Sequence, residues 1–148
     1  MGKIEAINIT NISEGNTFYV NQAILEKGKG IVNDRYYENF KEKKEQVTLI
    51  DLEDINNFNI QIKQKIEAKD FRRNIIVSGI NLNELIDKKI KINKVTLKIH
   101  EICQPCKYLQ DRLKTPGLVK MLLNKSGVRA EILSSGSLSV GDAIKILK

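Results

Sequence analysis

Two cysteines stand three positions apart in Ile102-Cys103-Gln104-Pro105-Cys106-Lys107, and Cys106 has the most chemistry to offer of any side chain here. An alternating run, Val95-Thr96-Leu97-Lys98-Ile99-His100, leads into the segment as a strand, and Lys107 to Gln110 reads as a helical turn after it. A thiol at a strand end beside Lys107 is biased toward thiolate, the form that binds metal or attacks sulfur. One C-x-x-C could also be half of a zinc site, but no second pair of ligands follows and His100 is the only histidine. A thioredoxin-like pair normally opens a helix in a βαβ context, which this pattern does not offer. Two buried, inert thiols remain a third reading, and it suits Cys103 better than Cys106.

Two further clusters could hold an anion. Gly28-Lys29-Gly30 breaks the pattern ahead of Asp34-Arg35. Glycines let backbone approach a ligand, and Arg35 offers a planar fork that Asp34 could orient. The bland alternative is a turn with a surface ion pair. Arg72-Arg73-Asn74 opens the apolar run Ile75-Ile76-Val77. Only Arg35, Arg72, Arg73, Arg112 and Arg129 are arginines among 25 basic residues, so a choice of arginine suggests geometry as well as charge. Asn74 could cap the strand or hydrogen-bond a polar heterocycle. His100 falls in phase with Thr96 and Lys98, which places it on the less apolar face, at a rim or in solvent.

The elements that must carry these groups are mostly short strands. Lys3 to Ile9 alternates with period two, Phe18, Val20, Ala23 and Leu25 suggest a second strand with a bend or loop before it, and Gln46 to Ile50 is a short buried strand. Asn11 to Asn16 reads as a turn. Asp51 is expected to cap a short helix from Leu52, ending soon after Asn56-Asn57, with Ile60, Ile62 and Ile66 in extended chain or a competing helix. Leu82 to Ile86 suits a helical turn. Ile90 to Ile92 and Val95 to Ile99 form a hairpin around Asn93-Lys94. Thr115 as N-cap with Pro116 at N1 predicts a helix stopped by Ser126-Gly127. Val128 to Leu133 is a strand, Ser134 to Ser137 a turn, and Val140-Gly141-Asp142 a tight corner before Ala143 to Leu147. Strands at such spacing predict a mainly β fold, one closed barrel with a few short helices, as a single domain over residues 1–148.

Composition narrows the function classes. At 148 residues and 41% hydrophobic content the chain can bury a core without disulfides. Two cysteines so close are no secreted disulfide framework, no run reaches the roughly 18–20 apolar residues of a membrane span, and Met1-Gly2-Lys3-Ile4-Glu5 lacks a signal-peptide core. A reduced, cytoplasmic setting without a membrane is expected. The net charge of +7 invites nucleic acid, but lysines spread among asparagine and isoleucine, 5% aromatics and no RNA-binding signature argue against that partner.

Taken in order, Gly30 to Arg35, Glu45 to Ile50, Arg72-Arg73-Asn74-Ile75 to Ile80, Cys103 to Cys106, and Gly136 to Asp142 resemble the MOSC domain, the module at the C-terminus of molybdenum cofactor sulfurases that also stands alone. The resemblance spans essentially the whole chain. It implies a barrel like the β-barrel domain of pyruvate kinase, and the molybdenum cofactor (molybdopterin) as ligand. Cys106 would be the catalytic residue, coordinating molybdenum as in amidoxime-reducing relatives or carrying sulfur as in the sulfurases. Gly30, Asp34, Arg35, Arg72, Arg73, Asn74 and Lys107 would bind the cofactor's phosphate and pterin. Implied roles are sulfur transfer to the cofactor, cofactor-dependent reduction, or carriage of cofactor to a partner enzyme. Implied partners are a cysteine desulfurase, a cofactor-biosynthesis protein or a reductase. No pyridoxal phosphate is expected, since no desulfurase domain or Schiff-base lysine can be nominated. The family's loop has glycine where this chain has Asn33; asparagine tolerates a left-handed backbone, so the turn should survive.

Overall fold

A computed structural model describes residues 2–12 and 15–147. Part of the turn read over Asn11 to Asn16, namely Ser13 and Glu14, lies outside the described residues. Eleven strands form among those described: β1 (Gly2–Ile9), β2 (Phe18–Val20), β3 (Gln22–Glu26), β4 (Gly30–Ile31), β5 (Val47–Asp51), β6 (Ile75–Ser78), β7 (Lys89–Ile92), β8 (Val95–Ile102), β9 (Val128–Ser134), β10 (Gly136–Ser139) and β11 (Ala143–Leu147). Three α-helices accompany them: α1 (Leu52–Ile62), α2 (Lys107–Arg112) and α3 (Leu118–Met121).

Seven strands close a barrel in the order β1-β11-β7-β8-β9-β5-β6, with β6 returning to β1 and β2 added on the edge of β1. A smaller sheet, β10-β3-β4, stands beside it. The pairing of β5 with β6 is parallel, as it must be when a helix (α1) carries the chain from one to the other. Closure leaves the barrel strands few open edges, and their alternate residues fill the interior. Ile4, Ile7, Leu49, Ile75, Ile90, Ile92, Leu97, Ile99 and Val128 are all sealed there.

A second core lies outside the barrel wall. Ile50 and Ile76, on the outward faces of β5 and β6, pack with Ile55, Phe58, Phe71, Leu109, Leu118 and Leu122. The Phe58 and Phe71 rings meet edge to face, 5.7 Å between centroids, a favoured aromatic geometry. Both faces of β5 are therefore covered, which explains its five consecutive buried residues and the absence of alternation.

This second core also explains where local signals mislead. Helix α1 runs through Asn56 and Asn57 and ends with Lys63 in the left-handed region, because burying Ile55 and Phe58 outweighs the weak helix propensity of asparagine. Ile60 and Ile62 are thus helical. The Asp51 carboxylate accepts from the Leu82 N–H (3.2 Å) and does not cap α1. Thr115 is not the N-cap of α3: its hydroxyl donates to the Leu113 carbonyl, and Gly117 at φ 82° delays the helix to Leu118. That helix ends at Met121, so Ser126-Gly127 leads into β9 and does not stop a helix. Likewise only Ser135 separates β9 from β10, so most of the expected Ser134 to Ser137 turn is strand. The turn after β7 uses Asn93 at φ 54°, and Leu82–Leu85 forms the expected helical turn, of the 3₁₀ type.

Candidate functional site

Register decides what meets at one end of the barrel. Ile102 of β8 lies opposite Val128 of β9, Val128 opposite Leu49 of β5, and Leu49 beside Ile75 of β6. One row of the barrel therefore places the chain leaving β8, the start of β9 and the residues preceding β6 side by side. These segments carry Cys106, Arg129 and Arg72-Arg73. The loop after β4 brings Arg35 and Tyr36 to the same end, and together they line a pocket of about 330 Å³.

Each guanidinium is held by specific partners. Arg73 Nε donates to the Ser126 carbonyl (2.7 Å) and its Nη2 to Ser126 Oγ (3.0 Å). Arg35 Nη2 donates to the Arg72 carbonyl (3.0 Å), while Nη1 lies 3.7 Å from the Asp34 carboxylate. That Nη1 is buried and makes no hydrogen bond among the described residues. Arg35 also lies over the Tyr36 ring at 4.5 Å, and Arg72 over Tyr108 at 5.7 Å, distances at which cation–π attraction operates. Arg72 is in the left-handed region at φ 63° and donates to the Gly15 carbonyl. Burial first, and then the charge of Arg35, pull its guanidinium below the usual arginine range. Arg129 pairs with Glu101 at 3.2 Å. Burial works against its charge, but the buried Cys103 sulfur and then Glu101 outweigh that and hold it above the usual value.

Cys106 is exposed on the pocket wall, at the N-cap position of α2, and its side chain caps nothing. Cys103 is buried, with its N–H donating to the Gly127 carbonyl at 2.8 Å. The two thiols thus have separate environments although only two residues intervene.

Of the residues nominated from sequence, Cys106, Arg35, Arg72 and Arg73 line the pocket. Four others lie outside the lining. Asn74 is buried: its Oδ1 accepts from Thr48 N and Oγ1 (3.0 and 3.1 Å) and its Nδ2 donates to the Asn8 carbonyl (3.2 Å), tying β5, β6 and β1 together. The Asp34 carboxylate accepts from Thr10 N (3.2 Å) and Tyr36 N (3.3 Å), which fixes the loop bearing Arg35. Gly30, at φ 126°, lets that loop fold back: a Cβ there would sit 3.2 Å from Tyr37 Cα. Asn33, in the glycine position of the loop, has φ 73°, so the left-handed turn is kept. The Lys107 side chain is 82% exposed and lies 4.0 Å from Asp111 on its own helix. His100 has a partner that the sequence did not suggest, Glu131 at 2.9 Å, and lies off the pocket.

Arg129, Gln104, Tyr36 and Tyr108 also line the pocket, unnominated. The scarcity of arginine was the signal for Arg129. Four of the chain's five arginines line one cavity, and the fifth, Arg112, donates to Tyr108 Oη at its side (3.1 Å). Nothing local marks Gln104, whose amide is locked on Asn124 by two hydrogen bonds. What the site offers is a soft nucleophile among planar cations, a combination suited to a ligand bearing both an anionic group and a thiophilic centre.

Among the described residues no helix is long and apolar enough to cross a membrane. No group of three or more metal-ligating side chains is present among them either. No curated protein matches the sequence. The fold is similar to the crystal structure of the YUAD protein from Bacillus subtilis, with a TM-score of 0.83 at 19% identity over 99% of this chain and 96% of that one. It is also similar to YiiM from Geobacillus stearothermophilus (TM-score 0.81, 16% identity, 100% of this chain and 76% of that one). YiiM from Escherichia coli follows the same course (TM-score 0.76, 11% identity, 99% and 70%). A family model described as the MOSC domain matches residues 35–145. With its closed barrel and this match over most of its length, the chain belongs to the MOSC domain family, a molybdenum cofactor-related domain.

Proposed function

We propose that this domain binds the molybdenum cofactor in the arginine-lined pocket and that Cys106 is the residue through which it acts, as metal ligand or as sulfur carrier. The observation that carries this reading is an exposed thiol on the wall of a pocket to which four of five arginines contribute. The donor set fits the group. Arg35, Arg72, Arg73 and Arg129 suit its phosphate, and the buried, unsatisfied Arg35 Nη1 is a donor in want of an acceptor. Cys106 Sγ suits a soft metal or a persulfide. Asp34, Gly30 and Asn74 act from behind, holding the loop and strands that present the arginines. When bound, the cofactor would supply metal-centred redox and sulfur chemistry, while this chain binds and orients it.

The test is to purify the protein from a cofactor-producing host and measure molybdenum and pterin against Cys106→Ala and Arg73→Ala. Wild type is expected to carry both, with molybdenum lost in the cysteine variant and pterin lost in the arginine variant. Equal, negligible loading in all three ends the proposal.

A second reading has its own support: no carboxylate or histidine lines the pocket among the described residues. A site without such a general acid or base suits a carrier that takes the cofactor from a biosynthesis protein and passes it to an enzyme. Loaded protein that transfers cofactor to an acceptor, but turns over neither a persulfide donor nor an N-hydroxylated substrate, would favour the carrier.

A further inference from the structure

All five arginines stand in or beside the pocket, so the remaining side-chain positive charge, with His100 neutral, is lysine, and in one place its arrangement is not random. Strands β7, β8 and β11 present alternate residues outward, while Ile90, Ile92, Leu97, Ile99 and Ile144 fill the barrel. On the outward face Lys145 lies directly opposite Lys91, and Lys89 directly opposite Lys98. Lys89 and Lys91 are in turn same-face neighbours along β7. The four form a continuous chain of cations with neighbours roughly 5–7 Å apart.

Like charges placed directly across a sheet repel and destabilise it. Acidic neighbours could relieve the repulsion, but none of the four lysines comes within 4 Å of a carboxylate among the described residues. The one carboxylate in register with the row, Glu131, lies opposite Lys98 and 2.9 Å from His100, so it offsets that end of the row alone. Some lysines elsewhere are paired, Lys44 with Glu42 and Glu101 and Lys69 with Glu67 and Asp70; what sets this face apart is that its four lysines stand in register with one another. The outer wall of the barrel at β7, β8 and β11 thus carries four lysines against one carboxylate in register with them.

From this geometry we infer that the face is a docking surface for an acidic protein partner. Charge complementarity selects the sign of the partner, and a lysine row without arginine or aromatic neighbours in register selects its kind. Nucleic-acid surfaces that read or stack on bases add arginine forks or aromatic platforms to their lysines, and this face has neither. Mobile, well-hydrated ammonium groups suit a fast, salt-sensitive encounter with clustered aspartates and glutamates. The inference does not depend on what the pocket holds, although β8 runs from Lys98 toward the segment bearing Cys106, so a docked partner would sit on the strand that leads to the site.

The experiment uses the full chain and a fluorescent oligo-glutamate peptide as probe, at 20 mM and 150 mM salt. A variant with Lys89, Lys91, Lys98 and Lys145 all changed to Gln is compared with one in which the exposed Lys27, Lys29, Lys63 and Lys65 are changed to Gln. Both lose four charges, so they differ only in placement. The face variant is expected to lose about tenfold or more in affinity, with the control within about threefold of wild type. Equal losses in the two variants would overturn the inference, since net charge alone would then explain binding. No wild-type binding at either salt would also overturn it. Preference of the same face for a single-stranded oligonucleotide or for anionic vesicles over the peptide would reassign it and overturn the protein partner.

Discussion

Replacing Asn74 by alanine tests how the pocket is supported. Asn74 is 1% exposed, and its side chain satisfies three neighbours: Thr48 N–H, Thr48 Oγ1 and the Asn8 carbonyl. Thr48 Oγ1 also accepts from the Asn74 N–H at 2.9 Å, so the hydroxyl keeps a partner after truncation. The Thr48 N–H and the Asn8 carbonyl do not. Each buried orphan costs about 1–3 kcal/mol, so Asn74→Ala should lose about 3–4 kcal/mol. That is a large part of the roughly 5–15 kcal/mol that holds a domain of this size. Urea unfolding followed by circular dichroism is the assay, with an unchanged m-value expected because the exposed surface hardly alters. A loss under about 1 kcal/mol would refute the reasoning. So would a variant of normal stability that had lost cofactor, because Asn74 would then act on the ligand and not through the strands.

Asp51 carries a carboxyl that burial, against the Leu82 N–H bond and reinforced by Asp54, raises to about 6. Both states are neutral below the unfolded value near 4, and the charged form penalises the fold fully only above the folded value. Asp51→Asn should therefore stabilise by about 2 kcal/mol at pH 7.5, with the gain shrinking as pH falls from 6 to 4; a pH-independent difference would contradict this. Gly127→Ala places a Cβ 2.1 Å from the Leu49 carbonyl oxygen at φ 92°, and thermal unfolding should fall by roughly 10 °C or more. An unchanged midpoint would mean that β9 does not enter as described. Arg73→Lys keeps the charge but cannot make the double contact to Ser126, so affinity for pyrophosphate, read by calorimetry, should drop about tenfold. Equal affinity would show that charge alone matters.

Strand alternation was legible because a barrel wall has one wet face and one dry face, as Lys89 to Ile92 and Val95 to Ile99 show. Where helices cover the outside of β5 and β6, the period vanished and local signals failed: Asn56-Asn57 did not stop α1, and Thr115 did not start α3. Cys106 and the Arg72-Arg73 pair could be named from types and spacing, since few residues do their chemistry.

Residue type and order by themselves determined a β-rich barrel, a candidate thiol and a scarce set of arginines. Tertiary structure alone decided that Arg129 joins the pocket while Asn74 and Asp34 work behind it. The reason is register: side-chain chemistry is local, but which ends of β6, β8 and β9 share a row depends on closing the barrel, a non-local event that no short segment encodes.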